Sequence, residues 1–320
     1  MAVPLPPLRL VFMGTPEFAV PSLRALIDGE DKVVGVVTQP DQPAGRGMML
    51  HAPPVKILAV AHNLPVFQPT KLREPTVLEH LQRWQPDVVV VAAYGKMLPS
   101  PILTLPPLGC INVHASLLPK YRGAAPIQWA IACGEQETGV TIMRISERMD
   151  AGDILLQKAI AITATDTGGT VHDKLATLGA NALCEALQLL KQDQLIAHPQ
   201  NEAEATYAPL IKKEEGRIDW REDAETIERR IRAFNPWPSA YTLLHGKLLK
   251  IFAAQIEPSF PRPASLPGTI REVTPVSLVI ATGSGCLALS EIQLEGKKRM
   301  PVEEFLKGHH LTPGLVLGVP

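Results

Sequence analysis

Cysteine is scarce in this sequence, and its cysteines lie far apart. Cys110, Cys133, Cys184 and Cys286 form no CxxC pair, so neither a zinc site nor a disulfide framework is indicated. We therefore expect four reduced thiols, each used for packing in the interior.

An excess of charge and long apolar runs are also lacking. The net charge of −1 excludes a uniformly basic nucleic-acid coat, so any RNA contact must come from local patches. No apolar run reaches the roughly 18 residues that a membrane-spanning helix needs. Residues 1–7 do not resemble a secretory signal. We expect a cytoplasmic protein without membrane contact.

Signatures of nucleotide binding and of serine acyl transfer are missing as well. After the first predicted strand, residues 13–17 lack the GxGxxG spacing of a dinucleotide site, and no P-loop occurs. A nicotinamide enzyme therefore fits poorly. Ser116 lies close to His114 but outside a GxSxG turn, which disfavours a serine acyl-enzyme.

The first half of the chain alternates short β-branched segments with helical patterns. Strands are predicted at Leu8–Met13, Lys32–Thr38, Asp87–Ala92 and Gly109–His114, and helices at Phe18–Asp28, Val55–Asn63, Thr76–Trp84 and Ile127–Gly134. Because these strands are too apolar to have a solvated face, they indicate a Rossmann-like α/β fold with a doubly wound, mostly parallel sheet. Ligands of such sheets bind at the carboxyl ends of the strands, here at Gly14, Gln39, Tyr94 and His114.

A polar, charged segment separates this half from a different pattern. It follows a long helix predicted over about 170–191, and another helix is expected over 222–234. Five alternating segments then predict a small OB-like antiparallel β-barrel, with a turn at His245-Gly246: Tyr241–Leu244, Lys247–Ala253, Gly268–Val273, Leu278–Ala281 and Cys286–Leu294. We predict a catalytic domain over residues 1–195, a linker over 196–215 and a barrel-like domain over 216–320.

The strongest local signal lies at the end of the fourth predicted strand. The two-residue period of Cys110–His114 places Asn112 and His114 on one face, and a turn-rich segment, Ser116–Gly123, follows. Asp150 comes later, in an Asp-Ala-Gly sequence. Taken alone, an Asn-x-His pair usually satisfies loop backbone groups, and an aspartate before Ala-Gly is usually a turn former.

Together these residues resemble the folate-dependent formyltransferases, whose motif is Asn-x-His, then Ser-Leu-Leu-Pro-x-Tyr, then a distant Asp-x-Gly. The resemblance implies a Rossmann-like catalytic domain with Asn112, His114 and Asp150 in catalysis. It also implies 10-formyltetrahydrofolate as co-substrate, without a metal. Formyl transfer passes through a tetrahedral oxyanion, to which the Asn112 amide and a protonated His114 would donate hydrogen bonds while Asp150 orients or charges the imidazole.

The resemblance further implies a folate site around two strand ends. It assigns to the folate Ser116, Leu117, Leu118 and Pro119, together with Tyr94 and Leu98 of the segment that meets the pterin. Backbone groups of that segment would recognise the ring. For its apolar residues, an ordinary position in the sheet core is an equally good interpretation.

The amine that accepts the formyl group is not specified by the catalytic residues. The Gly- and Pro-rich loop Thr38–Gly47 resembles the loop with which tRNA-dependent members of the family enter the acceptor stem, which assigns Arg46 to tRNA. Met48 and Met49 stand where family members often carry lysines, which weakens the loop's electrostatics. The alternative is a surface loop with one solvated arginine.

The carboxy-terminal part supports a tRNA partner. Gly216–Trp220 and Ile231–Pro238 resemble the carboxy-terminal domain of the same enzymes. Cations concentrate around them, and the candidates for phosphate contact are Lys212, Lys213 and Arg232. Acidic neighbours leave open a solvated i,i+4 charge network on the helix. Trp220 and Trp237 are expected in the core rather than stacked on bases.

The sequence thus predicts a monomeric formyltransferase. The formyl group would pass from 10-formyltetrahydrofolate to the α-amino group of initiator methionyl-tRNA, for translation initiation. One rival is a folate-dependent formyltransferase that acts on an amino sugar or a ribonucleotide amine. Another is a tRNA-binding protein whose Rossmann half is catalytically idle.

Overall fold

The computed structural model of the chain describes residues 6–44, 49–258 and 265–319. Contacts divide the chain into two compact units. The first comprises the residues up to Pro126, Glu137–Ile160 and His172–Ala208. The second comprises Ile127–Gln136, Ala161–Val171 and the residues from Pro209 onward.

The first unit is built on β-strands, most of which are separated along the chain by helices. In order they are Arg9–Gly14 (β1), Lys32–Val37 (β2), Gln42–Ala44 (β3), Met49–His51 (β4), Val66–Phe67 (β5), Val88–Ala92 (β6), Cys110–His114 (β7), Arg122–Gly123 (β8), Glu137–Arg144 (β9), Ile154–Ala161 (β10) and Tyr207–Ala208 (β11). β3 pairs with β4 and β8 with β11 in two small separate sheets.

The main sheet has seven strands in the order β10-β9-β7-β6-β1-β2-β5. The five strands from β7 to β5 in this order run parallel, and β9 runs antiparallel to β7. The predicted mostly parallel α/β sheet is confirmed. The strand order reverses between β1 and β6, which is the position where ligands bind in open α/β sheets.

Helices connect these strands, several of them starting with proline. Their bounds are Val20–Asp28 (α1), Pro54–Ala61 (α2), Pro75–Trp84 (α3), Ser100–Leu103 (α4), Pro126–Ala132 (α5) and Gly168–Lys191 (α6). Pro54 and Pro75 lie in the first turn of their helices, where an N–H group has no intrahelical partner to lose. Short 3-10 helices occur at Glu17–Ala19, Glu202–Glu204 and Lys213–Gly216.

Apolar strands and helices share one core in the first unit. Every residue of β6 is buried, as are five of the six residues of β1. Leu81 of α3 and Ile102 of α4 pack in the same cluster as Val11 and Val89. Because the strands bury both faces, helices must cover the sheet on each side, which holds the strand ends in fixed positions.

From Pro209 onward, the second unit is built on an antiparallel sheet and the helices α7 and α8. Its elements are Ala224–Ala233 (α7), Ala240–Leu244 (β12), Lys247–Ile256 (β13), Ile270–Val273 (β14), Leu278–Ala281 (β15), Cys286–Leu294 (β16), Met300–Pro301 (β17) and Val302–Gly308 (α8). The strand order is β12-β13-β16-β15-β14, with β17 paired to β16. The predicted antiparallel domain is confirmed, and closure of its sheet into a barrel stays a prediction.

Local sequence signals account for this unit. β12 alternates buried and half-buried residues along its length, as a strand with one core face does. His245 and Gly246 both have positive φ, 49° and 72°, and form the predicted turn between β12 and β13. Asp223 caps α7 by accepting a hydrogen bond from the N–H of Thr226 at 2.8 Å. Ile227 of α7 packs in the core of the sheet.

The cysteines and the helices test two further expectations. All four cysteines are free thiols, and Cys110 and Cys286 are buried as predicted. Cys184 is half-buried and Cys133 is exposed, so the prediction that all four pack in the interior is wrong for Cys133. It follows the last residue of α5, where the chain leaves the helix. Within the described ranges, no helix combines the length and the apolar composition needed to cross a membrane.

Candidate active site

Asn112 and His114 lie at the carboxyl end of β7, in the first unit. The strand is paired with β6 on one side and β9 on the other. His114 is buried, with 6% of its surface exposed, whereas Asn112 is half-buried. No hydrogen bond to another described residue occupies the Asn112 side-chain amide. The amide is therefore available as a donor beside the imidazole.

Each nitrogen of the His114 imidazole faces a polar group, and Nε2 is hydrogen-bonded. Nε2 lies 3.0 Å from the backbone oxygen of Tyr121. A carbonyl oxygen only accepts, so Nε2 carries the proton in this bond. Nδ1 lies 3.7 Å from Oδ2 of Asp150. The structure thus brings together two of the three predicted catalytic residues, and it turns Nδ1 toward the carboxylate.

Asp150 lies in the loop between β9 and β10 and is fixed by its backbone surroundings. Its side chain is 18% exposed, and Oδ2 accepts a hydrogen bond from the N–H of Gly123 at 2.9 Å. Its φ is +50°, in the left-handed region that few non-glycine residues adopt. A carboxylate held in this way keeps one direction toward His114.

Glycine is required two residues after Asp150. A Cβ atom added to Gly152 would lie 1.9 Å from the backbone oxygen of Arg144, a contact that no side-chain movement relieves. The loop can pass this close to β9 only without a side chain at position 152. This close approach is the physical reason for the glycine of the Asp-Ala-Gly sequence.

The segment Ser116–Pro119 forms a tightly bonded turn after β7. Ser116 is fully buried, and its hydroxyl donates to the backbone oxygen of Lys120 at 2.7 Å. Leu118 is also buried, and its N–H donates to Oγ1 of Thr141 at 3.1 Å. Leu117 and Pro119 are half-buried. Of the four residues of this turn that are assigned to folate, these two keep accessible surface for a ligand.

Tyr94 and Leu98, the other two residues assigned to folate, pack in the apolar core cluster of the first unit. Burial raises the pKa of Tyr94 to about 12, and its hydroxyl has no hydrogen-bond partner among the described residues. The backbone oxygen of Tyr94 accepts from Oγ1 of Thr15 at 3.4 Å and from Nε2 of Gln39 at 3.0 Å. Thr15, Gln39 and Tyr94 follow β1, β2 and β6 respectively, so hydrogen bonds join the ends of these three strands.

The residues predicted to contact tRNA differ in their surroundings. Arg46 lies outside the described residues. Lys212 and Lys213 are exposed in the second unit. Arg232 is only 17% exposed, and its guanidinium binds both carboxylate oxygens of Glu228 and the backbone oxygen of Asp166. The i,i+4 charge network that the sequence left open is therefore present at Arg232.

Trp220 and Trp237, which the sequence places in the core, also differ in their surroundings. Trp220 is 5% exposed, and its Nε1 donates to Oγ1 of Thr242 at 3.0 Å, so its predicted core position is confirmed. Trp237 is 49% exposed, and the prediction that it lies in the core is wrong. It stands in the turn between α7 and β12, where the preceding Phe234 and Asn235 occupy the interior.

Two residues that sequence reasoning missed stand behind Asp150. Arg122 has only 1% of its side chain exposed and binds both Gln200 and Glu202. Gln200 in turn donates to the backbone oxygens of Asp150 and Gly152. Arg122 lies in the turn-rich segment that the sequence singles out, but its partners lie about 80 residues away along the chain, so the sequence did not reveal the contacts.

Among the described residues, no group of three or more His, Cys, Asp or Glu is arranged to hold a metal ion.

Family models match both parts of the chain. The model described as formyl transferase covers residues 8–187, and the model described as formyl transferase, C-terminal domain, covers residues 210–310. The chain therefore belongs to the formyl transferase family.

Two relatives that are similar to almost the whole chain carry the same name. Methionyl-tRNA formyltransferase of Desulfotalea psychrophila is 52% identical over 97% of this chain and 95% of the relative. Methionyl-tRNA formyltransferase of Syntrophus aciditrophicus is 50% identical over 97% of this chain and 99% of the relative. A crystal structure of WlaRD, a sugar 3N-formyl transferase in the presence of dTDP and 5-N-formyl-THF, shares the fold. It is 17% identical, with a TM-score of 0.66 over 91% of this chain and 99% of that one.

Proposed function

We propose that the chain transfers the formyl group of 10-formyltetrahydrofolate to the α-amino group of initiator methionyl-tRNA, acting as a monomer in the cytoplasm. The observation that carries the proposal is the pairing of His114 with Asp150 beside the unoccupied amide of Asn112 at the end of β7. Methionyl-tRNA formyltransferases at about half identity over the full chain support this choice of acceptor.

The reaction needs one bond formed, one bond broken and one proton moved. The amine nitrogen attacks the formyl carbon, and the carbonyl oxygen becomes an oxyanion. The bond from that carbon to N10 of the folate then breaks. The amine loses a proton and N10 gains one, so that tetrahydrofolate and the formylated amine leave with no net change in charge. No covalent enzyme intermediate is needed.

Asn112 and His114 stabilise the oxyanion. The Asn112 amide has a free donor, and Nδ1 of a protonated His114 supplies another because Nε2 is occupied by the Tyr121 oxygen. One such donor is worth roughly 3–4 kcal/mol of transition-state stabilisation when it is already positioned. Both groups lie on the strand rather than on a loop, so their positions are set by the sheet.

Asp150 stabilises the positive charge of the protonated imidazole and serves as the proton acceptor, directly or through water. Its Oδ2 faces Nδ1 of His114, and its side chain is partly exposed. An α-amino group has a pKa of about 7.7–8.0 in model compounds, so modest base assistance suffices near neutral pH. A carboxylate held by a backbone N–H keeps its orientation through the proton transfer.

The folate site is proposed at the turn after β7 and the neighbouring strand ends. Leu117 and Pro119 supply accessible apolar surface, while the buried Ser116 and Leu118 shape the turn through their hydrogen bonds. Tyr94 and Leu98 support the segment after β6, whose backbone groups would recognise the pterin. Such a site is mostly apolar with a few polar groups, as small-molecule sites usually are.

Exposed cations are proposed to contact the tRNA. Lys212 and Lys213 are solvent-exposed lysines that no described carboxylate neutralises through an ion pair, and each adds a counterion-releasing phosphate contact. Arg46 is kept as an acceptor-stem contact on the resemblance of its loop. Arg232 is engaged by Glu228 and is assigned to the stability of α7 instead.

The acceptor is tested by measuring formyl incorporation from 10-formyltetrahydrofolate into three acceptors in parallel. These are charged initiator tRNA, charged elongator methionine tRNA, and an RNA-free mixture of amino sugars and glycinamide ribonucleotide. We expect formylmethionine to form chiefly on the initiator. Turnover only in the RNA-free mixture would favour a folate-dependent formyltransferase that acts on an amino sugar or a ribonucleotide amine. WlaRD, a sugar 3N-formyl transferase, shares the fold. Gel retardation of tRNA without transfer to any acceptor would favour a catalytically idle binding protein.

A further inference from the structure

Gln200 makes two hydrogen bonds to the loop that carries Asp150. Its Nε2 donates to the backbone oxygen of Asp150 at 2.8 Å and to that of Gly152 at 2.7 Å. The two carbonyls lie on either side of Ala151. One side-chain amide thus spans the turn of the Asp-Ala-Gly sequence and uses both of its N–H donors there.

The orientation of this amide is set by Arg122. Nε and Nη2 of Arg122 lie 3.0 and 2.8 Å from Oε1 of Gln200. A guanidinium only donates and a backbone carbonyl only accepts, so the amide oxygen must face Arg122 and the amide nitrogen must face the loop. The reversed amide would lose all four bonds.

Arg122 is itself fixed. It is 1% exposed, and it binds the carboxylate of Glu202 through Nη1 and Nη2 at 3.2 and 2.9 Å. Glu202 and the neighbouring Tyr207 raise the pKa of Arg122, so the group is a permanent cation. The buried guanidinium of Arg122 therefore makes four hydrogen bonds, two to Gln200 and two to Glu202, which keeps Gln200 in a single position.

The backbone of Asp150 needs such support. Its φ of +50° lies in a region that costs free energy for a non-glycine residue and persists only where the surroundings determine it. Gly123, which follows Arg122 directly, holds the Asp150 carboxylate through its N–H at 2.9 Å. Arg122-Gly123 thus fixes the side chain of Asp150 directly and its backbone through Gln200.

We propose that Gln200 is a positioning residue for formyl transfer, which holds Asp150 in its left-handed conformation against His114, and that Arg122 sets the orientation of the Gln200 amide. The inference rests on the proposed role of Asp150. Gln200 does not contact the reacting atoms. Its effect on the rate comes from the direction in which it holds the carboxylate.

The test is the substitution Gln200→Glu in the full-length chain. A carboxylate still accepts from Arg122 but brings oxygen atoms against the two backbone oxygens of the loop, so Asp150 moves. A displacement of about 1 Å at a catalytic group costs on the order of 10²-fold in rate. We expect kcat for formyl transfer to fall by about 10²-fold, with KM for 10-formyltetrahydrofolate and for charged tRNA unchanged.

Two further variants keep the test decisive. Asn201→Asp makes the matching amide-to-carboxylate change one residue away, where the side chain bonds only Ala203 and Glu204 of its own turn, and should keep the wild-type kcat. Gln200→Met removes the bonds without adding charge. It should show the same loss of kcat if Gln200→Glu proves too unstable to assay.

A double substitution separates positioning from a general structural effect. In the Asp150→Asn background, Gln200→Glu should change kcat little, because both substitutions act through one carboxylate. An equal further loss in that background would overturn the inference. Wild-type kcat in folded Gln200→Glu and Gln200→Met, with Asp150→Asn inactive, would overturn this inference alone. Wild-type kcat in Asp150→Asn would overturn the proposed function of the site with it.

Discussion

Oδ2 of Asp150 lies 3.7 Å from Nδ1 of His114, although Asp150 comes from the loop between β9 and β10 and His114 from the end of β7. The other imidazole nitrogen is bound to the Tyr121 oxygen, so the ring cannot turn without losing that bond. The carboxylate, which also accepts from the N–H of Gly123, therefore faces His114 in one defined direction, and its removal should affect catalysis more than folding.

Asp150→Asn is expected to lower kcat by roughly 10²–10⁴-fold, because the amide is a far weaker base than the carboxylate. The amide oxygen still accepts from the N–H of Gly123, so the melting temperature should stay close to that of the wild type. Steady-state formyl transfer and thermal melting measure the two effects. Glu147→Gln, an exposed carboxylate in the same loop, is the control and should leave kcat unchanged. A fully active Asp150→Asn variant removes the residue from the mechanism.

Asn112→Ala should cost roughly 10²–10³-fold in kcat, the usual loss when one oxyanion donor is removed. Since the side chain bonds no other described residue and is half-buried, stability should change little. Measuring kcat and denaturant unfolding on the same preparation separates the two. A loss that appears only in KM would place Asn112 in substrate binding rather than in stabilisation of the transition state.

Gly152→Ala should distort the loop that holds Asp150. The added Cβ would meet the Arg144 backbone oxygen at 1.9 Å, and overpacking of this kind costs about 1–3 kcal/mol of unfolding free energy. We expect a lower midpoint in urea and a reduced kcat. Gly308→Ala is the control, because its Cβ would meet no described atom within 4 Å. A Gly152→Ala variant with unchanged stability and rate would show that the loop adapts without moving the carboxylate.

The exposed lysines and Arg232 should respond differently to substitution. Lys212→Ala and Lys213→Ala should each weaken tRNA binding and reduce the slope of log affinity against log salt by about 1. Arg232→Ala should leave that slope unchanged. It should instead lower the unfolding free energy by about 1–3 kcal/mol, because the carboxylate of Glu228, 14% exposed, loses its partner.

Filter binding at several salt concentrations, together with urea unfolding, distinguishes the two kinds of residue. If Arg232→Ala lowers the salt slope while stability stays unchanged, Arg232 contacts a phosphate and its pairing with Glu228 gives way to tRNA. If neither lysine alters the slope, the phosphate contacts lie elsewhere on the chain.

The ion pair of Arg122 with Glu202 should make the unfolding free energy depend on pH in the acid range. Hydrogen bonds from Arg122, and then from Arg148, lower the pKa of Glu202 from 4.5 to about 2. A carboxylate with a lowered folded pKa contributes its full stability above the unfolded pKa near 4.5, and loses it as pH falls toward 2. Urea unfolding of wild type and Glu202→Gln should therefore differ at pH 6 and converge toward pH 2. A difference that persists unchanged to pH 2 would contradict the assignment.

The sequence was informative where residue type and spacing carry the signal. The buried β-branched segments around Val88–Ala92 predicted the parallel sheet, and His245-Gly246 predicted a hairpin turn that the structure contains. The sequence predicted less well which individual side chains are exposed to solvent. Trp237 and Cys133 were placed inside because of their residue type, but both follow a helix end, where the path of the backbone decides which side chains face solvent.

By itself, the sequence determined the mostly parallel sheet and the antiparallel second part, because periodicity is encoded by neighbouring residues. Its resemblance to the formyltransferases supplied the candidate residues Asn112, His114 and Asp150, which spacing alone does not single out. Only the tertiary structure decided that Nε2 of His114 binds the Tyr121 oxygen, that Arg232 is held by Glu228, and that Gln200 supports Asp150. Bonds between residues far apart in sequence depend on how the elements pack, and packing distances of a few tenths of an ångström separate a hydrogen bond from none.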